Sequence, residues 1–221
     1  MKNSSSKDKD IKRILEKWVE INERISNEWQ IKNSEGVEEN DCPWWYGERA
    51  CVSILAGAIW QEDGYVLEEY IMKKDCEGED NPGRHGRCDL FFEIGNCDYR
   101  CEAKVYWTGD TLEAKKIDNY FDNGNKFGAE VDVKKIKISE SYADLLRSND
   151  ATLKYFAVVF LVPSVSNERL DKNWIKTYKN TIEEYSKDTM HYAYYFRSDA
   201  PIGNNNKRFP GIAILLKEVA M

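Results

Sequence analysis

The sequence predicts a mixed α/β fold, in which helices flank a mixed central β-sheet. Two observations predict it: an amphipathic helix and an apolar helix precede three strand-like segments, and strands then alternate with further helical segments. The chain has 221 residues, of which 42% are hydrophobic and 13% aromatic. This composition is typical of a globule with a sizeable core and argues against disorder.

The N-terminal part is predicted to be a helical extension. Residues 8–30 carry apolar side chains at helical spacing opposite a charged face. Two arrangements would bury this stripe: packing on the core, or packing on a second subunit in a homodimer. A polar link follows, so we divide the chain into an N-terminal amphipathic helix with its linker, 1–40, and a main domain, 41–221.

The elements that follow alternate between helical and strand-like patterns. Residues 44–61 are more uniformly apolar and predict a second, more deeply buried helix, whereas 64–74 are rich in β-branched and aromatic residues and predict a strand. The segment 76–86 predicts a loop because it contains Pro and Gly. Residues 88–107 predict two strands.

The second half of the chain continues this alternation. Asp110 and Glu113 have the spacing of a capping box, which predicts a short helix starting there. The later segments predict a longer helix at 127–148, a buried strand at 154–164, an amphipathic helix at 167–188 and two closing strands at 190–198 and 210–219.

The strand pair at 88–107 can be aligned by its turn. Gly95-Asn96 is a favoured two-residue hairpin turn, because both residues tolerate positive φ. With this turn, the residue numbers of each cross-strand pair sum to 191. Asp89 then lies opposite Glu102, and Arg87 lies opposite Lys104, on a face that also carries Arg100. The other face is nearly all apolar: Cys88, Leu90, Phe92, Ile94, Cys97, Tyr99, Cys101, Ala103 and Val105. A slip of one residue would mix the two sets, so the pattern itself supports the register.

Two opposed carboxylates in such a strand pair need a positive partner. Directly opposed side chains are about 5 Å apart at Cβ, and like charges at that distance repel. Lys104 can supply the positive charge, and so can a divalent cation; the two are compatible. Oxygen ligands suit Mg²⁺ or Mn²⁺ better than zinc.

These residues resemble the PD-(D/E)XK nuclease superfamily, the fold of many restriction endonucleases. In that family an acidic residue sits on the second strand, an acidic-x-Lys triplet sits on the third, and a Glu often comes from the preceding helix. The matching residues are Asp89, the triplet Glu102-Ala103-Lys104, and Glu48, and the resemblance covers residues 44–162 in element order. The family's Pro before the Asp is Cys88 in this chain.

The triplet alone carries little information, because the chain contains four [DE]-x-K triplets. Those at 10–12, 113–115 and 132–134 lie in polar, helical segments. Only Glu102-Ala103-Lys104 lies in a strand beside an Asp. We therefore select it and set the other three aside.

The resemblance implies a restriction endonuclease-like core and metal-dependent hydrolysis of phosphodiester bonds, most directly in DNA. Asp89, Glu102 and the carbonyl of Ala103 would hold Mg²⁺ or Mn²⁺. Lys104 would orient or deprotonate the attacking water, the base role requiring burial to lower its pKa, and Glu48 would complete a second metal site or orient water. Three alternatives stay open: a structural ion-pair cluster, a catalytically inactive nuclease-like fold acting as a protein- or nucleic-acid-binding regulatory module, and a structural or assembly protein whose N-terminal helix and exposed tryptophans mediate self-association.

A nucleic acid would have to meet local basic groups, because the net charge of the chain is -7. Arg84, Arg87 and Arg100 surround the predicted site, and Lys207 and Arg208 form a second basic group in a Gly/Asn-rich loop. The first residues lack an apolar signal region and the apolar runs are too short for a bilayer, so we expect a cytoplasmic protein.

Overall fold

The computed structural model describes residues 1–32, 38–73, 85–121, 129–134, 152–187, 190–200 and 207–220. The helices are α1 (Lys9–Glu28), α2 (Glu48–Gln61), α3 (Ala114–Phe121), α4 (Ala129–Lys134) and α5 (Lys172–Ser186), with a 3₁₀ turn at Pro43–Tyr46. The strands are β1 (Lys2–Ser5), β2 (Gln30–Lys32), β3 (Glu38–Asn40), β4 (Tyr65–Lys73), β5 (His85–Ile94), β6 (Cys97–Thr108), β7 (Thr152–Pro163), β8 (Val165–Ser166), β9 (His191–Phe196), β10 (Lys207–Arg208) and β11 (Gly211–Glu218).

Seven of these strands form one sheet, in the order β1-β9-β11-β7-β6-β5-β4. Adjacent strands in this sheet are antiparallel, except for β6 and β7, which run parallel. A parallel pair needs a crossover, and α3 and α4 lie in the stretch that connects these two strands. The predicted mixed α/β architecture is therefore confirmed.

Helices cover the sheet on both faces, and each face has its own apolar cluster. One cluster is formed with α1 and α2, and the other with α3, α4 and α5. Strand β7 is buried from both sides, since Phe156 to Val162 are all 0% exposed. This fixes β6, its parallel neighbour, in the middle of the molecule.

The N-terminal segment belongs to the same core. Asp8 caps α1 by accepting hydrogen bonds from the backbone N–H groups of Asp10 and Ile11. The apolar stripe of α1, including Leu15 and Trp18, is buried in the cluster that it shares with α2. Strand β1 pairs with β9 at the edge of the main sheet. Of the two arrangements expected for the helix, the structure has the one in which its stripe packs on the core.

Two connecting segments were predicted to be helical. The short helix after β6 is present, but its predicted start at Asp110 is wrong: α3 begins at Ala114, and the Asp110 carboxylate instead accepts hydrogen bonds from the backbone of Ser166 and the side chain of Arg169. Of the longer helix predicted at 127–148, Ala129–Lys134 is helical and residues 127–128 and 135–148 lie outside the described part of the chain. Among the described helices, none has both the length and the apolar character that crossing a bilayer requires.

Candidate active site

The hairpin of β5 and β6 opens at the predicted acidic residues. The pairs run from Ile94 with Cys97 to Leu90 with Cys101, so the predicted turn and register are confirmed over this stretch. The ladder ends at Leu90. The predicted pairs of Asp89 with Glu102 and of Arg87 with Lys104 therefore do not form as ladder pairs.

Two carboxylates take over the backbone groups that the ladder leaves free. Asp89 Oδ2 accepts a hydrogen bond from the N–H of Ala103 (2.7 Å), and Glu48 Oε2 accepts one from the N–H of Val105 (3.3 Å). N–H groups two residues apart point to the same side of a strand. The N–H groups of Ala103 and Val105 therefore both point toward β5, where they would have bonded to its backbone if the ladder had continued. We call this opening between β5 and β6 the fork.

A distortion in the neighbouring strand accompanies the fork. The pairs of β4 with β5 skip Glu69 and Asp89, and Glu69 has φ of +49°, a conformation that costs a residue with a side chain roughly 1–3 kcal/mol. The alternation of side chains is interrupted here. Cys88, predicted to share a face with Leu90, instead packs in the cluster of α3, α4 and α5, so that prediction was wrong.

Lys104 lies within a ring of carboxylates. Its Nζ is 3.4 Å from Asp132 Oδ2 and 3.9 Å from Glu48 Oε1. Burial alone would lower the pKa of Lys104, but the charges of Glu48, Asp89, Asp132 and Glu102 outweigh burial and raise it. The lowered pKa that the base role of Lys104 would require is therefore not found in the chain by itself, because the surrounding carboxylates favour the charged ammonium.

Glu48 enters the site from the start of α2. The residue before it, Gly47, has φ of +89° and ψ of -161°, a combination that only glycine adopts readily, so this glycine sets the direction in which α2 begins. Burial raises the pKa of Glu48; Asp89 and Asp132 raise it further, while Lys104 and the N–H of Val105 oppose them. Its carboxyl group is therefore easier to protonate than an ordinary Glu.

Asp132 belongs to the site, although sequence reasoning missed it. Its triplet, Asp132-Val133-Lys134, was set aside as part of a polar helix. In the structure, α4 packs on β6 and β7, with Ala129 and Val133 fully buried. The available signal was this pair of small apolar residues four positions apart, which places Asp132 close to the sheet.

The donor chemistry of the fork fits a hard divalent cation. Asp89 reaches the backbone of Ala103, and the C=O and N–H of one residue point to the same side of a strand. Glu102 adds a carboxylate that is 2% exposed. All three donors are oxygens, as Mg²⁺ and Mn²⁺ prefer. As the side chains stand, no group of three Asp, Glu, His or Cys residues in the described part of the chain converges enough to hold a metal.

The predicted basic residues differ in how much they offer to a ligand. Arg87 has a 64% exposed side chain, paired with Glu69 at 2.6 Å. Arg100 is 1% exposed and its guanidinium lies 5.9 Å from the ring centroid of Tyr155. Because a nucleic acid cannot reach a buried guanidinium, the predicted contact by Arg100 does not hold.

The remaining predicted basic residues lie on β10 or outside the described residues. Lys207 is exposed, whereas Arg208 is anchored by the side chain of Asn167 and the carbonyl of Ala200. Arg84 lies outside the described residues. Sequence reasoning missed Arg49, one residue beyond Glu48, whose side chain is 84% exposed and pairs with Glu69 at 2.9 Å.

A separate cleft of about 470 Å³ lies near the opposite end of β7, lined in part by Lys154 and His191. Lys154 pairs with Asp8 at 3.1 Å. Lys104 pairs along the sheet with Val159, five residues from Lys154, so the cleft is separated from the fork by roughly 16 Å of strand.

Comparison of the chain with protein-family models, with curated proteins and with solved structures gives no match. The fold and the fork define a mixed α/β protein with an acidic cluster around one lysine, where two strands of its sheet separate.

Proposed function

We propose that the chain is a metal-dependent nuclease of the PD-(D/E)XK type, hydrolysing phosphodiester bonds, most directly in DNA. One observation carries the proposal: at the fork, Asp89 reaches the backbone of the triplet Glu102-Ala103-Lys104, and Glu48 reaches Lys104 from the preceding helix. The order α2, β4, β5, β6, α3 and α4, β7 supports a restriction endonuclease-like core. Counting β4 as the first strand of this core, Asp89 lies on the second strand, β5, and the triplet lies on the third, β6.

Asp89, Glu102 and the carbonyl of Ala103 are the groups that would hold Mg²⁺ or Mn²⁺. When bound, such an ion polarises a phosphoryl oxygen and lowers the pKa of water. The charges near Lys104 support the proposed metal dependence. Four carboxylates act electrostatically on one ammonium, so the site alone would repel a phosphodiester.

Lys104 acts as a cation in this proposal. Its ammonium carries three donors and no acceptor. Its raised pKa keeps it protonated at neutral pH, which suits it to bind a phosphoryl oxygen or to orient water, and not to remove a proton. Asp132, at 3.4 Å, positions the ammonium.

Glu48 is the better candidate for proton transfer. Its raised pKa brings it closer to neutral pH than an ordinary Glu, and general acid–base groups work best near the operating pH. Its side chain is 39% exposed, so solvent can exchange protons with it.

The test is cleavage of supercoiled plasmid and circular single-stranded DNA in Mg²⁺, Mn²⁺ or EDTA. The variant is Lys104→Ala. The control is Lys115→Ala, which removes the lysine of the exposed triplet Glu113-Ala114-Lys115 at the start of α3. We expect metal-dependent cutting that falls by roughly 100-fold or more in Lys104→Ala and is unchanged in Lys115→Ala.

Two outcomes would overturn the proposal. Equal cutting by wild type and Lys104→Ala would indicate a contaminating nuclease. Folded wild-type protein that cuts no substrate with either metal would favour the second candidate, a nuclease-like module that binds without catalysis. The net charge of -7 favours this second candidate, because an acidic chain attracts nucleic acid less than a basic one does.

A further inference from the structure

Three aromatic side chains form a continuous cluster beside the fork. The rings of Trp45 and Phe209 lie 4.9 Å apart between centroids, and those of Trp107 and Phe209 lie 5.4 Å apart and nearly perpendicular. Trp107 is 48% exposed. We call Trp45, Trp107 and Phe209 the aromatic rim.

The rim is built on the same elements as the candidate site. Trp107 lies three residues beyond Lys104 on β6, roughly 10 Å along the strand. Trp45 lies three residues before Glu48, in the 3₁₀ turn that leads into α2. Side chains three residues apart on a strand point to opposite faces, so Trp107 lies with Phe209 on the face of α1 and α2, whereas Lys104 lies near Asp132 of α4. Glu48, at the start of α2, is the residue that reaches Lys104 from the face of the rim.

The exposed rings are held in position from below. Trp44, which is fully buried, donates its indole N–H to the carbonyl of Phe209 at 3.3 Å. Trp45 and Phe209 are partly buried and pack against the cluster of α1 and α2. An indole usually buries most of its large apolar surface. Trp107 instead leaves nearly half of its surface exposed to solvent.

An exposed cation accompanies the rim. Arg49, four residues after Trp45, is 84% exposed but pairs with Glu69 of β4 at 2.9 Å, two strands away from Trp107. Lys207 is exposed and lies two residues before Phe209. Aromatic faces beside cations match the way proteins bind single-stranded nucleic acid, in which bases stack on the rings and phosphates meet the cations.

We infer that the aromatic rim stacks unpaired bases, so that the substrate of this site is single-stranded nucleic acid or an opened strand. The statement that these bases belong to a substrate rests on the proposed nuclease function. In an intact duplex each base is covered by its neighbours, so the rim finds no free base face. Three residues of strand correspond to about three stacked bases at 3.4 Å each, so a strand stacked on the rim would pass Glu48 at the start of α2 to bring a phosphate to Lys104.

The experiment measures binding without cleavage. A fluorescein-labelled oligothymidine of about 15 nucleotides, and a mixed-sequence duplex of the same length, are titrated with protein in EDTA and followed by anisotropy. The variant is Trp107→Ala. The control is Trp60→Ala, because Trp60 is 55% exposed near the other end of α2 and packs only on the ring of Tyr65 among the aromatic contacts described.

We expect wild type and Trp60→Ala to bind the single strand alike, and more tightly than the duplex. Trp107→Ala should weaken single-strand binding by roughly 5- to 150-fold, the range that base–aromatic stacking gives, and Trp107→Phe should restore part of it. Quenching of indole fluorescence by the oligothymidine should fall in Trp107→Ala.

Equal single-strand affinity in wild type and Trp107→Ala would overturn the inference, as would tighter binding of the duplex. These results are separable from those on catalysis. If metal-dependent cutting requires Lys104 and is unchanged in Trp107→Ala, the nuclease proposal stands and the stacking role of the rim is rejected. If single-strand binding requires Trp107 and no substrate is cut, the stacking role stands and the nuclease proposal is rejected.

Discussion

Asp89 accepts a hydrogen bond from the backbone N–H of Ala103, with 2.7 Å between Oδ2 and N, where β5 and β6 stop pairing. The carboxylate thus replaces a strand partner. The fork is therefore the place where the sheet opens, and the oxygen donors proposed to hold a metal lie on the two strands that separate there.

The first prediction separates the hydrogen bond of Asp89 from its charge. Asp89→Asn keeps an oxygen that can accept from Ala103 and removes one charge from an acidic cluster. In metal-free buffer, its free energy of unfolding should equal or exceed that of wild type. Asp89→Ala leaves a buried N–H without this partner and should lose about 1–3 kcal/mol. Urea denaturation measures both, and a large loss in Asp89→Asn would mean that the charge itself stabilises the fold.

The second prediction concerns Glu48 and pH. Since the pKa of Glu48 is raised in the folded state, the folded chain holds this proton more tightly than the unfolded chain does. Ionisation then costs stability above the folded pKa, and the cost vanishes below the ordinary Glu value of about 4.3. In metal-free buffer at pH 7, Glu48→Gln should therefore melt at a higher temperature than wild type, and the difference should disappear near pH 4. A gap that widens with falling pH would contradict this.

The third prediction tests Asp132 as a positioning residue. Asp132→Asn removes the carboxylate that lies 3.4 Å from Lys104 and leaves the other three. We expect cleavage to fall by roughly 10- to 100-fold, with the alkaline limb of its pH–rate profile moving to lower pH because Lys104 loses part of its stabilisation. Asp118→Asn, whose carboxylate on α3 instead binds the hydroxyl of Tyr185, is the control. A rate drop without a change in the profile would indicate a merely structural role.

The fourth prediction concerns His191, at the cleft near α1. Burial lowers the pKa of His191, although Asp8 and Glu218 act in the opposite direction. Its Nδ1 shares a hydrogen bond with Ser6 Oγ at 2.7 Å. Because the pKa of His191 is lower in the folded chain than in the unfolded chain, the unfolded chain takes up this proton at a higher pH. The free energy of unfolding should therefore fall as pH drops below about 6.5.

Thermal melts between pH 7 and pH 5 check this. His191→Gln should lose less melting temperature over that interval than wild type does. The neighbouring pair of Asp8 and Lys154 titrates outside the interval, because the pKa of Asp8 is lowered and that of Lys154 is raised. An identical acid loss in variant and wild type would rule out His191 as its source.

The register of β5 and β6 could be predicted from the sequence, because two local signals agree there. Gly95-Asn96 fixes the turn, and the alternation of apolar and charged residues fixes the faces. The fork could not be predicted in the same way. The alternation of side chains in the sequence continues through residue 89 without a break, whereas in the structure the pairing of β4 with β5 is interrupted at Glu69, whose carboxylate pairs with Arg49 of α2.

Other differences arise where a tertiary partner replaces a local one. The capping-box spacing at Asp110 is present, but its carboxylate is taken up by Ser166 and Arg169. The polar residues of β1 carry no strand pattern and become a strand by pairing with β9. Asp132 looked like one more solvent-exposed acid on a helix, and only the packing of α4 against the sheet brings it to Lys104.

The most direct test of the account is titration of the metal-free protein with Mn²⁺ in a calorimeter, because the fork is proposed to hold a dication. Wild type should bind Mn²⁺, Glu113→Gln on the unrelated triplet should bind it equally, and Asp89→Asn should bind at least roughly tenfold more weakly. Asp89→Asn keeps the oxygen facing Ala103, so this loss would report on metal binding and not on misfolding. Wild type that takes up no Mn²⁺, or Asp89→Asn that matches it, would contradict the account.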